Sequence, residues 1–197
     1  MHANRAGPAT GGAGEPSELA RRLLAGLNDR WDHTREVAAR ARSVAKSKAV
    51  PDKDRRLLVD AAWLHDIGYS PEVSRTGFHS LDGAQYLMSI GASADLVGAV
   101  AHHSSARFEA EERGLAGELE TFPAPSEAVM DALAYADMTT GRTGRTVTVE
   151  DRLAEILERY GPNDPVHRAI SRARVDLVTA VRRTEIRLAA KDADHPM

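Results

Sequence analysis

A chain of 197 residues, 42% apolar and 28% charged, is long enough for one domain with a sizeable core. Its formal net charge of -3, with Lys/Arg interleaved among Asp/Glu, offers no basic face for nucleic acid and no polybasic segment for anionic lipid. Cysteine is absent, which excludes disulfides, thiolate nucleophiles and cysteine-held metals, so any ion must be bound by imidazole and carboxylate.

Residues 1-16, with their Gly-Pro-Ala-Thr-Gly-Gly-Ala-Gly run, bury too little surface to offset the entropy of ordering and read as a tail. Residues 17-190 read as the core and 191-197 as a second tail. Ser17 is placed to cap a helix carrying Leu19, Leu23, Leu24 and Leu27. Asn28 or Asp29 caps the next, which carries Trp31, Val37, Ala38, Ala41 and Val44. Pro51-Asp52 opens a third helix, whose Leu57, Leu58, Ala61, Ala62 and Leu64 repeat at helical spacing and put His65-Asp66 on its last turn. Gly68 stops it, and a loop follows to Gly77.

His79 starts a fourth helix, with Leu81, Ala84, Leu87 and Met88 on one face and Gly91 at its end. Ser93 caps a fifth that runs to His102-His103, and the stretch from Ser104 to Pro125 is long for a connection, with part-helical character from Phe108 to Leu119. Ser126 caps a sixth helix reaching Asp137, and Gly141 and Gly144 break the chain before the C-terminal helices over 148-190. No alternating run is long enough for a sheet, so the expected fold is an all-α single domain of about eight helices. No run approaches membrane-spanning length, and the expectation is a cytoplasmic protein without a membrane or nucleic-acid partner.

Of eight histidines, His2 and His195 fall in the two tails, and His167 follows Pro165 with no carboxylate in pattern, reading as packing. The others are placed differently. His33, His65-Asp66, His79, His102-His103 and Asp137 each adjoin an apolar run, where an unpaired charge is costly to bury, so each needs a partner or an ion.

The ordered set His33, His65-Asp66, Asp137 resembles the HD-domain superfamily of metal-dependent phosphohydrolases, over about His33 to Asp137. Ala62-Trp63-Leu64-His65-Asp66-Ile67-Gly68 looks like the hallmark segment of that family, and Ala134-Tyr135-Ala136-Asp137 like its terminal aspartate helix. The resemblance implies an HD-type helical bundle in which His33, His65, Asp66 and Asp137 ligate one divalent ion. His79 and His103 match the additional histidines of the dinuclear branch, where the aspartate of the pair bridges two ions. Iron or manganese, or else magnesium, cobalt or nickel, suits such a nitrogen-oxygen set better than a closed structural zinc site. Consecutive residues on a helix diverge by about 100°, so His102 and His103 do not both face one ion while the helix continues; Val100 to His103 repeats the family's spacing and favours His103.

The implied reaction is hydrolysis of a phosphate ester or anhydride of a small, nucleotide-like molecule by metal-activated water, with Asp66 and His65 at the catalytic centre. Arg35, Arg75, Arg107 and His102 are the candidates for holding substrate. Tyr69 stands where the cyclic-dinucleotide branch has a lysine, and the Gly-Tyr-Pro motif of that branch is missing, which discounts cyclic-di-GMP. Two alternatives share the ligand set: a mixed-valent di-iron oxygenase cleaving a C-P or C-C bond, and a non-catalytic metal or nucleotide sensor. The last helix carries an apolar stripe suited to docking on the core or on a second subunit in a homodimer.

Overall fold

The structure, a computed structural model, describes residues 15-190; the two tails, with His2 and His195, lie outside the described residues apart from Glu15 and Pro16. Ten α-helices form the fold and no strand occurs among the described residues, only an isolated bridge between Thr140 and Thr146. They are α1 (Pro16–Leu24), α2 (Asp29–Ala45), α3 (Arg55–Leu64), α4 (His79–Ser89), α5 (Ala94–His102), α6 (Arg107–Arg113), α7 (Ala116–Leu119), α8 (Glu127–Met138), α9 (Val149–Arg159) and α10 (Pro165–Ala189). About eight were expected; the difference is α6 and α7, which fold within the 104–125 connection. None is long and apolar enough to cross a membrane.

Local chemistry sets most of the boundaries. Pro16 and Pro165 sit in the first turns of α1 and α10, where a fixed φ helps and no amide hydrogen is needed, so Ser17 lies inside α1 instead of capping it. Asp164, Thr148 and Ser93 accept the free amide hydrogens of α10, α9 and α5. The Ser126 hydroxyl instead donates to Asp54 at 3.1 Å.

Helix α3 lies at the centre, packed on α1, α2, α5 and α8. Leu64 joins Leu24, Phe78, Leu81 and Val100 in one apolar cluster, while Leu58, Ala61 and Ala62 join Val37, Val129 and Leu133 in a second. The Trp63 ring lies between the two clusters and stacks on Trp31, with centroids 6.0 Å apart. Met138, Leu153, Leu177 and Val181 form a third cluster, which seats α9 and α10 on α8. Buried Asp131 locks that seat by accepting from Arg183 at 2.6 and 2.8 Å and from Arg187 at 2.8 Å. The last helix therefore docks on this chain's own core, where it walls one side of a cavity.

Candidate metal centre

Helix α3 stops at Leu64, and the chain turns through His65 and Asp66 into a short 3-10 turn over Ile67–Tyr69. Leaving the helix here lets two consecutive residues face one point, which continuous helix geometry would prevent. The same happens after α5, where His103 is extended and Ser104 and Ser105 take positive φ of 48° and 61°. His103 thereby turns inward, whereas His102 donates from Nε2 to the Phe122 carbonyl at 2.7 Å.

The structure brings six side chains together. One ligand-capable atom from each of His33, His65 and Asp66 lies within 4.8 Å of the others, and Asp66, His79 and His103 form a second such group. Asp66 belongs to both: Oδ2 lies 3.4 Å from His65 Nε2 and 3.9 Å from His33 Nε2, while Oδ1 lies 3.7 Å from His79 Nε2. Asp137 closes the first group, with Oδ1 3.1 Å from His33 Nε2 and Oδ2 accepting from the Ser104 hydroxyl at 2.5 Å. His79 Nε2 and His103 Nε2 are 3.1 Å apart.

The protons of these rings are already committed. His33 Nδ1 donates to the Gly141 carbonyl at 3.2 Å, His65 Nδ1 to Ala62 at 2.9 Å and His103 Nδ1 to Val100 at 2.7 Å. A backbone acceptor at Nδ1 leaves the Nε2 lone pair of the neutral ring facing inward, which is how metal-ligating histidines are oriented. His65 Nε2 is fully enclosed and has no hydrogen-bond partner, and His33 Nε2 meets a carboxylate that can only accept. A cation between these acceptors would satisfy them all, so the residues present fit a divalent metal centre.

Burial lowers the His79 and His103 imidazoles below their ordinary value, helped at His79 by the neighbouring His103 and at His103 by His65, so both are neutral near pH 7. Burial acts the other way on the two carboxyls. It is outweighed at Asp66 by Arg30 and the surrounding histidines, and at Asp137 by the adjoining His33 ring with help from His65 and Arg152, leaving both well below the usual range and ionised. For histidines held low, the unfolded chain takes up protons that the folded chain refuses, so their contribution is full above about pH 6.5 and shrinks as pH falls through it. The depressed carboxyls contribute above about pH 4 and lose that below it. The melting temperature of chelator-treated protein is thus expected to fall between about pH 7 and 5 and again below about pH 4; a flat profile from 7 to 5 would contradict the buried-neutral assignment.

The candidate substrate groups lie elsewhere. Arg35 is half-exposed beside Asp32 at 3.7 Å, Arg75 donates to the backbone carbonyls of Ser74 and Glu72, and Arg107 pairs with Asp176. None of these, nor His102, lines the cavity that opens from Asp66. That cavity, about 690 Å³ including its mouth, is lined by Arg30, Arg152 and Arg159 instead.

Arg30 donates to Asp66 Oδ2 at 2.7 Å and lies 3.8 Å over the Tyr69 ring, which stacks on His79 at 4.2 Å. Burial pushes the Tyr69 phenol up, so it stays protonated. Arg30 was legible in principle, because it precedes His33 by three residues on α2 and so shares its face. Arg152 and Arg159 had no such signal. Their helix is separated from every histidine of the centre in sequence and reaches it by packing on α8 and α10.

A family model described as HD domain matches residues 30–163. Comparison with curated proteins and with solved structures gives no match.

Proposed function

Since the chain belongs to the HD domain family, we propose that it is a metal-dependent phosphohydrolase acting on a phosphate ester or anhydride of a small, nucleotide-like substrate. The observation that carries this reading is the set of inward-facing acceptors, His65 Nε2 above all, gathered on both oxygens of Asp66. In it His33, His65, Asp66 and Asp137 would hold one divalent ion, and His79, His103 and Asp66 a second, iron or manganese by the donor set. Divalent ions held there supply Lewis acidity toward a phosphoryl oxygen and lower the pKa of water to about 7.

The chain's own residues do the rest. Asp66 joins the two halves of the centre, and Arg30 holds that carboxylate while presenting positive charge to the cavity. Ser104 and the Gly141 carbonyl orient Asp137 and His33, so the ligand atoms are fixed before anything binds. Glu109, a cavity carboxyl raised by burial and tied to Arg113 at 2.7 Å, is placed to exchange a proton with the leaving oxygen.

Elemental analysis of purified protein, followed by phosphate-release assays on phosphomonoesters, phosphodiesters and nucleoside phosphates with manganese, tests the reading. At least one metal per chain and phosphate release are expected. Oxygen uptake by iron-loaded protein without phosphate release, or tight nucleotide binding with neither, would sink it in favour of an oxygenase or a sensor.

A further inference from the structure

Arg152 on α9 is buried, with 5% of its surface exposed. Its Nη1 donates to Glu155 Oε2 at 2.8 Å, but its Nε is enclosed with no hydrogen-bond partner among the described residues. An enclosed, charged N–H without an acceptor is destabilising unless something outside the protein supplies one. Glu155 cannot neutralise it alone, because Arg159 Nη2 also donates to that carboxylate, at 2.8 Å. Two guanidiniums therefore divide one negative charge.

Both arginines line the cavity of the metal centre, and both line an adjoining opening together with Arg30, His33 and Arg142. The acid of that opening, Asp29, is taken up by Arg142. In the main cavity Glu109 is tied to Arg113, and Asp66 and Asp137 belong to the histidine cluster. Excess positive charge thus collects on the α9 side of the cavity. Met138, Ile156, Ala169 and Ile170 line the same cavity and offer apolar contact.

We infer that Arg152 and Arg159 form a recognition site for a second anionic group of the substrate, a phosphate or a carboxylate, carried on an apolar or aromatic body away from the reacting phosphate. This rests on the phosphohydrolase reading only for which end of the substrate reacts. A planar guanidinium with a free N–H edge matches the paired oxygens of either anion.

Calorimetric titration of the full, metal-loaded chain with three non-hydrolysable probes tests the site: phenylphosphonate, para-carboxyphenylphosphonate and para-phenylenediphosphonate. At least one doubly anionic probe is expected to bind about tenfold tighter than phenylphosphonate, and which of them does so separates carboxylate from phosphate. In Arg152→Gln and Arg159→Gln that advantage falls below about threefold, and in Arg159→Gln phenylphosphonate binding changes by less than about twofold. Should Arg152→Gln fail to fold, Arg159→Gln decides, since its side chain is 29% exposed and tolerates change. Equal binding of all three probes, or an advantage that survives Arg159→Gln, overturns the inference even where the chain releases phosphate. An arginine-dependent advantage upholds it even where no phosphate is released.

Discussion

Asp66→Asn is expected to strip metal from the protein and to reduce phosphate release by at least about 1000-fold, since even changes beyond the direct ligands of a metal cost about 10- to 100-fold. The shape of the side chain is kept, so the effect isolates charge and lone pairs. Asp66 is the one side chain shared by both histidine groups, with Oδ2 toward His33 and His65 and Oδ1 toward His79. An amide nitrogen at either position replaces an oxygen lone pair with N–H groups that cannot ligate a cation. Arg30 would also lose its carboxylate. Breaking a buried pair costs about 3–5 kcal/mol, and with 21% of the Arg30 side chain exposed and the Tyr69 ring beneath it the loss belongs near the low end. Far-UV circular dichroism should show the helices intact; full metal content with turnover within about tenfold of wild type would contradict a ligand role for Asp66.

Gly68→Ala is expected to lower the melting temperature by about 10 °C and to cut phosphate release together with metal stoichiometry. A Cβ at Gly68 would lie 1.9 Å from the His79 carbonyl oxygen and 2.7 Å from the His79 Cα. Backbone cannot rotate out of the way as a side chain can, so α4 must move and carry its first residue, His79, with it. Overpacking costs about 1–3 kcal/mol where side chains can give, and at least the upper end applies here. Gly117→Ala in α7 is the matched control, since its Cβ would meet nothing within 4 Å, and it should be neutral or slightly stabilising. A melting temperature for Gly68→Ala equal to that of Gly117→Ala would show that α4 is not held where the structure has it.

The turn between them explains why a short loop can hold so exact a contact. Buried Asp82 accepts from the backbone amides of Arg75, Thr76 and Gly77 and from the Thr76 hydroxyl, so the loop that closes on Gly68 is braced from within α4 itself. Periodicity alone shows Leu81, Ala84 and Leu87 as a core face, but not that the aspartate between them faces inward to bind a loop. The positive φ of Ser104 and Ser105 is likewise invisible in composition, since serine is not a residue that announces a left-handed turn. That pair turns His103 toward Asp66, while His102 reaches the Phe122 carbonyl.

What the amino-acid order by itself determined is the helical class and which side chains stand at helix ends: apolar residues at a 3.6-residue period, with glycine, proline and capping side chains between them, are local signals. His33, His65, Asp66, His79, His103 and Asp137 were legible for that reason, each tied to the end or inner turn of a recognisable apolar helix. Tertiary structure alone decided that both oxygens of Asp66 are shared, that Arg35, Arg75, Arg107 and His102 stand outside the cavity, and that Arg152 and Arg159 line it. Those outcomes depend on how α8, α9 and α10 pack through Met138, Leu153 and Leu177 and the Asp131 ion pairs. Such contacts join residues far apart in the chain, and no local spacing encodes the angle at which two helices meet.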